Sequence, residues 1–407
     1  MLQRQDDAPP VEAFAGSAPL SRRAILAGAG AVLATSTRAF GQHEPPSTVT
    51  KPPRDFRPGA APTTYFTDPD VISVDPAFGS YVVPNSAICR LWTGGLWTEG
   101  PAWNGVGRYL VWSDIPNDRQ MRWLEEDGHV GIFRVRSNNA NGNSFDRQGR
   151  QLSCEHVTRR VVRYELDGSA TVLADRFDGT PFNSPNDIVQ HADGSYWFTD
   201  PAYGGFLYEG MPDEAGGPSN AQGRLDPRLG QPAGFPTARR VLPNAVYRID
   251  PTGRIDRVLT EDQLPDPNGL CFSPDHKTLY VSSTGKGPGD TGPGGKGEIY
   301  AFDVENGRSL ANKRLFSDCM VDDVKCGPDG MRADVDGNLW AASNAGRTVG
   351  YSGVTVWSPE GQLIGRIRLP EVCANLTFGG PKRNRLFMTA SQSLYAVYVN
   401  TQGAGPA

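Results

Sequence analysis

Six segments of the chain repeat one arrangement of apolar and polar positions: "EGPAWNGVGRYLVWSD" from Glu99, "NGNSFDRQGRQLSCEH" from Asn141, "NDIVQHADGSYWFTD" from Asn186, "NGLCFSPDHKTLYVSS" from Asn268, "DGMRADVDGNLWAAS" from Asp329 and "NLTFGGPKRNRLFMTA" from Asn375. Each opens on Glu, Asn or Asp, runs through a few mostly apolar residues to a turn rich in Gly, Asp or Pro, and enters a second apolar run. The second runs start at Leu110, Leu152, Tyr196, Leu279, Leu339 and Leu386, which are 11, 11, 10, 11, 10 and 11 residues after their anchors. Short apolar runs broken by tight turns predict antiparallel hairpins, and a near-constant offset in six copies marks an internal repeat.

Successive anchors lie 42, 45, 82, 61 and 46 residues apart. That matches the ~40–50 residues of a four-stranded propeller blade, with extra chain after the third and fourth anchors. The predicted fold is therefore all-β, a six-bladed β-propeller with a central metal site. Further strands complete the units in "RQMRWLEEDGHVGIFRV", "VVRYELDGSATVLA", "AVYRIDPTGRIDRVL" and "GEIYAFDV". The sixth unit ends at "SLYAVYV" and is one strand short, so the segment "SAICRLWTG" (86–94) is expected to close the ring and leave no long free edge.

The first strand of a propeller blade lines the central channel and the second runs back antiparallel to it, so an anchor and the end of its second strand share one face. Asn186 and Asp200, remote along the chain, are thus expected close together. The six anchors Glu99, Asn141, Asn186, Asn268, Asp329 and Asn375 converge at the channel mouth as two carboxylates and four amides. Hard oxygen donors of modest negative charge suit one divalent cation, Ca2+ first, with Zn2+, Mn2+ or Mg2+ as alternatives; Zn2+ and copper prefer nitrogen or sulfur. Taken singly, Asn141-Gly142, Asn268-Gly269 and Asp329-Gly330 would read as turn formers. It is their common register that argues for a metal.

Composition changes this picture little. Gly (48) and Pro (34) are abundant, as many short strands and tight turns require. A net charge of −5 with both signs interspersed gives no basic footprint for nucleic acid or an anionic membrane. Six cysteines, Cys89, Cys154, Cys271, Cys319, Cys326 and Cys373, contain no CxxC spacing, so a cysteine zinc site has no support. Cys154 and Cys271 read as buried thiols, and Cys319–Cys326 is the expected disulfide.

The N-terminal "LSRRAILAGAGAVLATSTRAFGQ" has an Arg pair, a short apolar run and small residues suited to cleavage. It resembles a twin-arginine export signal, and its apolar run falls short of the roughly 20 residues of a spanning helix. Residues 1–41 are read as this signal, 42–67 as a Pro-rich linker, 68–400 as the propeller and 401–407 as a tail. The mature protein is expected in the periplasm or outside the cell.

"EGPAW", "SPNDIV" with "FTDPAYG", "PNGLCFSPD" and "GPDGM", in this order, resemble the motifs of the SMP-30/gluconolactonase/LRE family of six-bladed propellers, over roughly residues 90–398. The resemblance implies one divalent ion held by Glu99, Asn186, Asn268 and Asp329. It implies that Asn141 lies near the metal, acting through water or substrate, and that Asn375 is structural. The family's animal branch has an Arg two residues before its second ligand, where this chain has Ser184, so that branch's sugar contacts do not transfer.

The activity implied is hydrolysis of a small-molecule lactone, an aldonolactone opened to the sugar acid. The metal would polarise the carbonyl and acidify a water. Asp329 is the implied base, with Asp200 and His156 as alternatives on the same face, and Asn141 and Asn186 are the substrate-contacting candidates. No G-x-S-x-G elbow or alternation of strand and helix supports a serine hydrolase. Two rivals stand beside this reading: an esterase or phosphotriesterase on the same scaffold, and a non-enzymatic propeller whose Ca2+ only ties the blades. Residues 204–244 and 284–297 are Gly/Pro-rich insertions expected on the site face, where Arg224, Arg228, Arg239 and Arg240 read first as solvated loop charges and second as contacts to a sugar hydroxyl or acid.

Overall fold

A computed structural model of the chain describes residues 67–206, 240–285 and 293–405. The expected export signal, the linker up to residue 66, most of the first insertion and half of the second, and with them Arg224, Arg228 and Arg239, lie outside these residues. Among the described residues no helix is long and apolar enough to cross a membrane.

The strands form six antiparallel sheets around a channel, each numbered here as a blade. Blade 1 runs Thr98–Asn104, Tyr109–Asp114, Arg119–Leu124, Val130–Val135, and blade 2 runs Ala140–Phe145, Gln151–Glu155, Arg160–Tyr164, Ala170–Ala174. Blade 3 consists of Ile188–Gln190, Tyr196–Asp200, Ala245–Ile249 and Ile255–Leu259. Blade 4 is Pro267–Phe272, Thr278–Ser283, Glu298–Glu305 and Ser309–Ser317. In blade 5, Gly327–Ala333, Leu339–Asn344, Gly353–Trp357 and Leu363–Arg368 are extended at the outer edge by Val71–Ser73. Blade 6 is Cys373–Gly379, Arg385–Ala390 and Ser393–Tyr398, completed by Cys89–Thr93 from the start of the fold. That strand closes the ring as its sequence predicts, pairing Cys89 with Ala396 and Thr93 with Ser393.

The chain before it staples blades 5 and 6 together. Arg368 Nη2 donates to Asp70 Oδ1 at 2.6 Å in a fully buried ion pair, and Asp68 Oδ2 accepts from Ile88 N at 2.7 Å. Phe78 enters the apolar cluster between those blades over Gly365, where a Cβ would lie 2.4 Å from the ring. At the other terminus, residues 402–404 bond back to Val335, Arg383 and Ala333.

Apolar clusters fill the seams between blades: Trp103, Trp123 and Phe387 between blades 6 and 1, Phe182, Phe198 and Tyr247 between 2 and 3, and Trp197, Phe272 and Phe302 between 3 and 4. The seam between blades 1 and 2 differs. Its apolar cluster comprises Ala102, Val111 and Phe145 with Tyr109 and Phe133 against it, and a buried polar network occupies the rest. Gln120 Nε2 donates to Asn143 Oδ1 (2.8 Å) and Ser153 Oγ (3.2 Å), and Gln151 Nε2 to Asn143 Oδ1 (3.1 Å).

The Cys319–Cys326 disulfide does not form; all six thiols are free. The backbones of the two residues pair, Cys326 N donating to Cys319 O at 2.9 Å. Their side chains diverge: Cys319, at φ 54°, packs with Cys271, Tyr280 and Met331, whereas Cys326 packs with Val321, Ala345 and Tyr351.

Where the anchors sit, the inner strands leave regular pairing. The ladder shifts register between Glu99 and Ala102, Ala140 and Asn143, Pro267 and Leu270, Pro328 and Met331, and Cys373 and Asn375. The X-Gly pairs are therefore strand bulges, and the glycine is required by neighbouring backbone. A Cβ on Gly142 would lie 2.3 Å from Asn186 O, one on Gly269 2.3 Å from Asp329 O, and one on Gly100 2.2 Å from Asn141 O. Gly269→Ala is accordingly expected to lower stability by about 1–3 kcal/mol, read as a fall in unfolding midpoint. Gly79→Ala, with nothing within 4 Å of the added Cβ, should leave the midpoint nearly unchanged.

Candidate functional site

At the bulges, a row of hydroxyls on the second strands holds the backbone carbonyls of three anchors. Ser113 Oγ donates to Asn141 O (2.7 Å), Thr199 Oγ1 to Asn268 O (2.7 Å) and Ser282 Oγ to Asp329 O (3.1 Å), each crossing to the next blade. The same oxygens accept from their own inner strands: Asp187 N reaches Thr199 Oγ1 at 3.1 Å and Gly269 N reaches Ser282 Oγ at 2.8 Å. Each anchor carbonyl, withdrawn from the ladder by the bulge, regains a donor.

The ring closes through consecutive contacts. Gly100 packs on Asn141, Gly142 on Asn186 and Asp187, Gly269 on Asp329, and Gly330 on Asn375, while the Asn375 side chain bonds the Glu99 carboxylate. Glu99, Asn141, Asn186, Asn268 and Asn375 are all buried, and Asp329 alone among the anchors keeps partial exposure. Asn375 Oδ1 also accepts from Leu376 N at 2.8 Å, a supporting position.

The donor set at the anchors is oxygen alone. Asn141 Oδ1 and Asn268 Oδ1 are buried and find no hydrogen-bond partner among the described residues. Each such orphaned carbonyl costs on the order of 1–3 kcal/mol, and an ion among them would remove that cost. Burial pushes the Glu99 carboxyl up to about 7, against the Gly100 amide and Asn375, with Asp187 pushing it up further and Arg332 holding it down. No cluster of three or more His, Cys, Asp or Glu side chains suited to a metal occurs among the described residues. Two carboxylates with amide oxygens fit Ca2+ chemistry.

Asp200 and His156 lie where their strands predict, but both are sealed from solvent. Asp200 accepts from Asn183 N (2.9 Å) and Ser184 N (2.8 Å), fixing the turn that leads into Asn186. Burial drives its carboxyl up to about 7 despite those amides and Arg159. His156 is pushed down to about 3 by burial, and neither ring nitrogen has a partner among the described residues. Gly204 lies directly on the imidazole, with room for no Cβ. Arg240 pairs with Glu261 at the root of the first insertion.

Two channel residues escape the anchor pattern. Asp187, fully buried, follows Asn186 where four other units have glycine, and Arg332 stands three residues after Asp329, where the other units have Ala102, Ser144, Val189, Cys271 and Phe378. Each break in the repeat was a readable signal.

Comparison with known proteins gives a consistent picture. Residues 97–392 match the model of the SMP-30/gluconolactonase/LRE-like region. A gluconolactonase from Zymomonas mobilis is 28% identical over 326 residues, covering 75% of this chain and 80% of the relative. A pentonolactonase from Haloferax volcanii is 26% identical over 296 residues, covering 72% and 81%. The solved structure of a gluconolactonase from Xanthomonas campestris superposes with a TM-score of 0.63 at 33% identity, covering 81% of this chain and 94% of that one.

A pH prediction follows from Asp200. Its folded pKa of about 7 lies above the ordinary 3.8, so the folded state holds the proton more tightly than the unfolded chain. The contribution is fully present below about pH 4 and is lost as pH rises through about 7. Stability of metal-stripped protein should decline from pH 4.5 to 7.5 in thermal scans, with a shallower decline in Asp200→Asn.

Proposed function

The chain belongs to the SMP-30/gluconolactonase/LRE-like family, and from that premise we propose that it is a lactonase that opens a sugar lactone to its aldonic acid with one divalent cation, Ca2+ first, at the channel mouth. The gluconolactonase and pentonolactonase relatives support lactone hydrolysis. The observation that carries the cation is the pair of buried, partnerless amide oxygens of Asn141 and Asn268, whose inner strands pack on those of Glu99 and Asp329 through Gly100 and Gly269.

Glu99, Asn186, Asn268 and Asp329 would hold the ion, with Asn141 beside them. When bound, it supplies a Lewis acid for the lactone carbonyl and lowers the pKa of a water. Asp329, the anchor with partial solvent access, takes the proton of the attacking water. Water oxygen bonds to the carbonyl carbon, the ring C–O bond breaks, and the ring oxygen takes a proton to become a hydroxyl. The new carboxylic acid ionises at neutral pH, so each turnover releases one proton. The Asn141 and Asn186 side chains orient the substrate oxygens. Asp200 supports this machinery through the Asn183–Ser184 turn, and His156, neutral and covered, stays outside it. The Arg22-Arg23 leader supports export of the mature enzyme.

Proton release from D-glucono-1,5-lactone, on protein stripped of metal and then given Ca2+, Mn2+ or Zn2+, tests this reading. Expected are activity that returns with added ion and a fall of about 100-fold or more in kcat/KM for Asp329→Ala. Folded, cation-binding protein inactive on aldonolactones but active on a phosphotriester would replace the substrate class.

A further inference from the structure

Beneath the oxygen ring the channel carries a cation of its own. Arg332, its side chain 15% exposed, places Nη1 3.4 Å from Asp187 Oδ2 and donates from the same nitrogen to Met331 O at 2.7 Å. Asp187 is fully buried; its Oδ1 accepts from Ile188 N at 2.9 Å, and its Oδ2 lies 3.5 Å from Leu270 N. Asp187 and Arg332 both lie within electrostatic reach of Glu99. Arg332 also lines a cavity of about 80 Å³ on the far side of the ring, with Asn143, Gln190 and Thr377. The guanidinium thus forms the floor of the site.

The formal charges then balance. With Glu99 ionised, as a bound cation would make it, Glu99, Asp187 and Asp329 contribute three negative charges and Arg332 one positive, −3 + 1 = −2, the complement of a divalent ion. We propose that Arg332, held by Asp187, sets the charge preference of the channel site, admitting a divalent cation and discriminating against a trivalent one of the same size. This rests on the cation reading given under Proposed function. Arg332 need not touch the ion. Its charge acts beside the buried Asp187 and Glu99, where Coulomb interactions between fixed charges are stronger than in bulk solvent. Ligand count and cavity shape are the same for Ca2+ and Tb3+, two hard ions of similar radius, so the ratio of their affinities isolates the charge effect.

Calorimetric titration of the metal-stripped full chain with Ca2+ and with Tb3+ tests this. In Arg332→Gln the ratio of Tb3+ to Ca2+ affinity should rise about tenfold or more. Arg332→Lys, which keeps the charge, and the double variant Asp187→Asn/Arg332→Gln, which restores −2, should stay near wild type. Should Arg332→Gln fail to fold in a thermal scan, Asp187→Asn alone must lower the ratio. A folded Arg332→Gln with an unchanged ratio, or a double variant displaced as far as the single one, overturns the inference and leaves the cation reading intact. Wild type that binds neither ion overturns both.

Discussion

Six inner strands brought round one axis approach too closely for an ordinary ladder, and this constraint organises the molecule. Gly100, Gly142, Gly269 and Gly330 each lie where a Cβ would collide with the next inner strand. The backbone bulges at those points, and bulging withdraws carbonyls from the sheet and turns side chains inward. The withdrawn carbonyls are recovered by Ser113, Thr199 and Ser282 from neighbouring second strands. Among the anchor side chains, the Oδ1 atoms of Asn141 and Asn268 are left without a hydrogen-bond partner among the described residues. The proposed cation seat and a packing solution are therefore the same feature.

Burial sets the chemistry of the groups around that feature. Asp200 and Glu99 are both driven toward neutral pKa by desolvation, yet they serve different ends. Asp200 directs both oxygens to backbone amides, which makes it a brace for the turn before Asn186. Glu99 is held by the Gly100 amide and by Asn375, facing the ring. The polar seam between blades 1 and 2 braces Asn141 in the same manner: Asn143 Nδ2 donates to Asn141 O at 3.0 Å and to Gly100 O at 2.9 Å. Satisfied polar networks of this kind fix geometry more tightly than apolar packing does.

The repeat made the blades legible because strand length, turn chemistry and anchor position all recur with one period. The closing strand at Cys89–Thr93 was legible because the sixth unit lacked a strand. Roles that depend on neighbours across blades were not. Asp200 and His156 share the polar or titratable character of Asp329, and their complete burial, against the partial exposure of Asp329, is set by neighbours across the fold. Cys319 and Cys326 are near in sequence, but a left-handed backbone at Cys319 sends the two thiols into different clusters. Arg332 and Asp187 interrupt the repeat, yet their pairing spans 145 positions of sequence, a separation no local pattern reports.

The claim at the centre of this account is that the ring of anchor oxygens is a cation seat. The most direct measurement is the anomalous scattering of crystals grown with Ca2+. The account predicts one peak on the channel axis, within roughly 2.3–2.6 Å of oxygens from Glu99, Asn186, Asn268 and Asp329. Anomalous density confined to surface carboxylates, with those four side chains bonded only to protein or water, would contradict it.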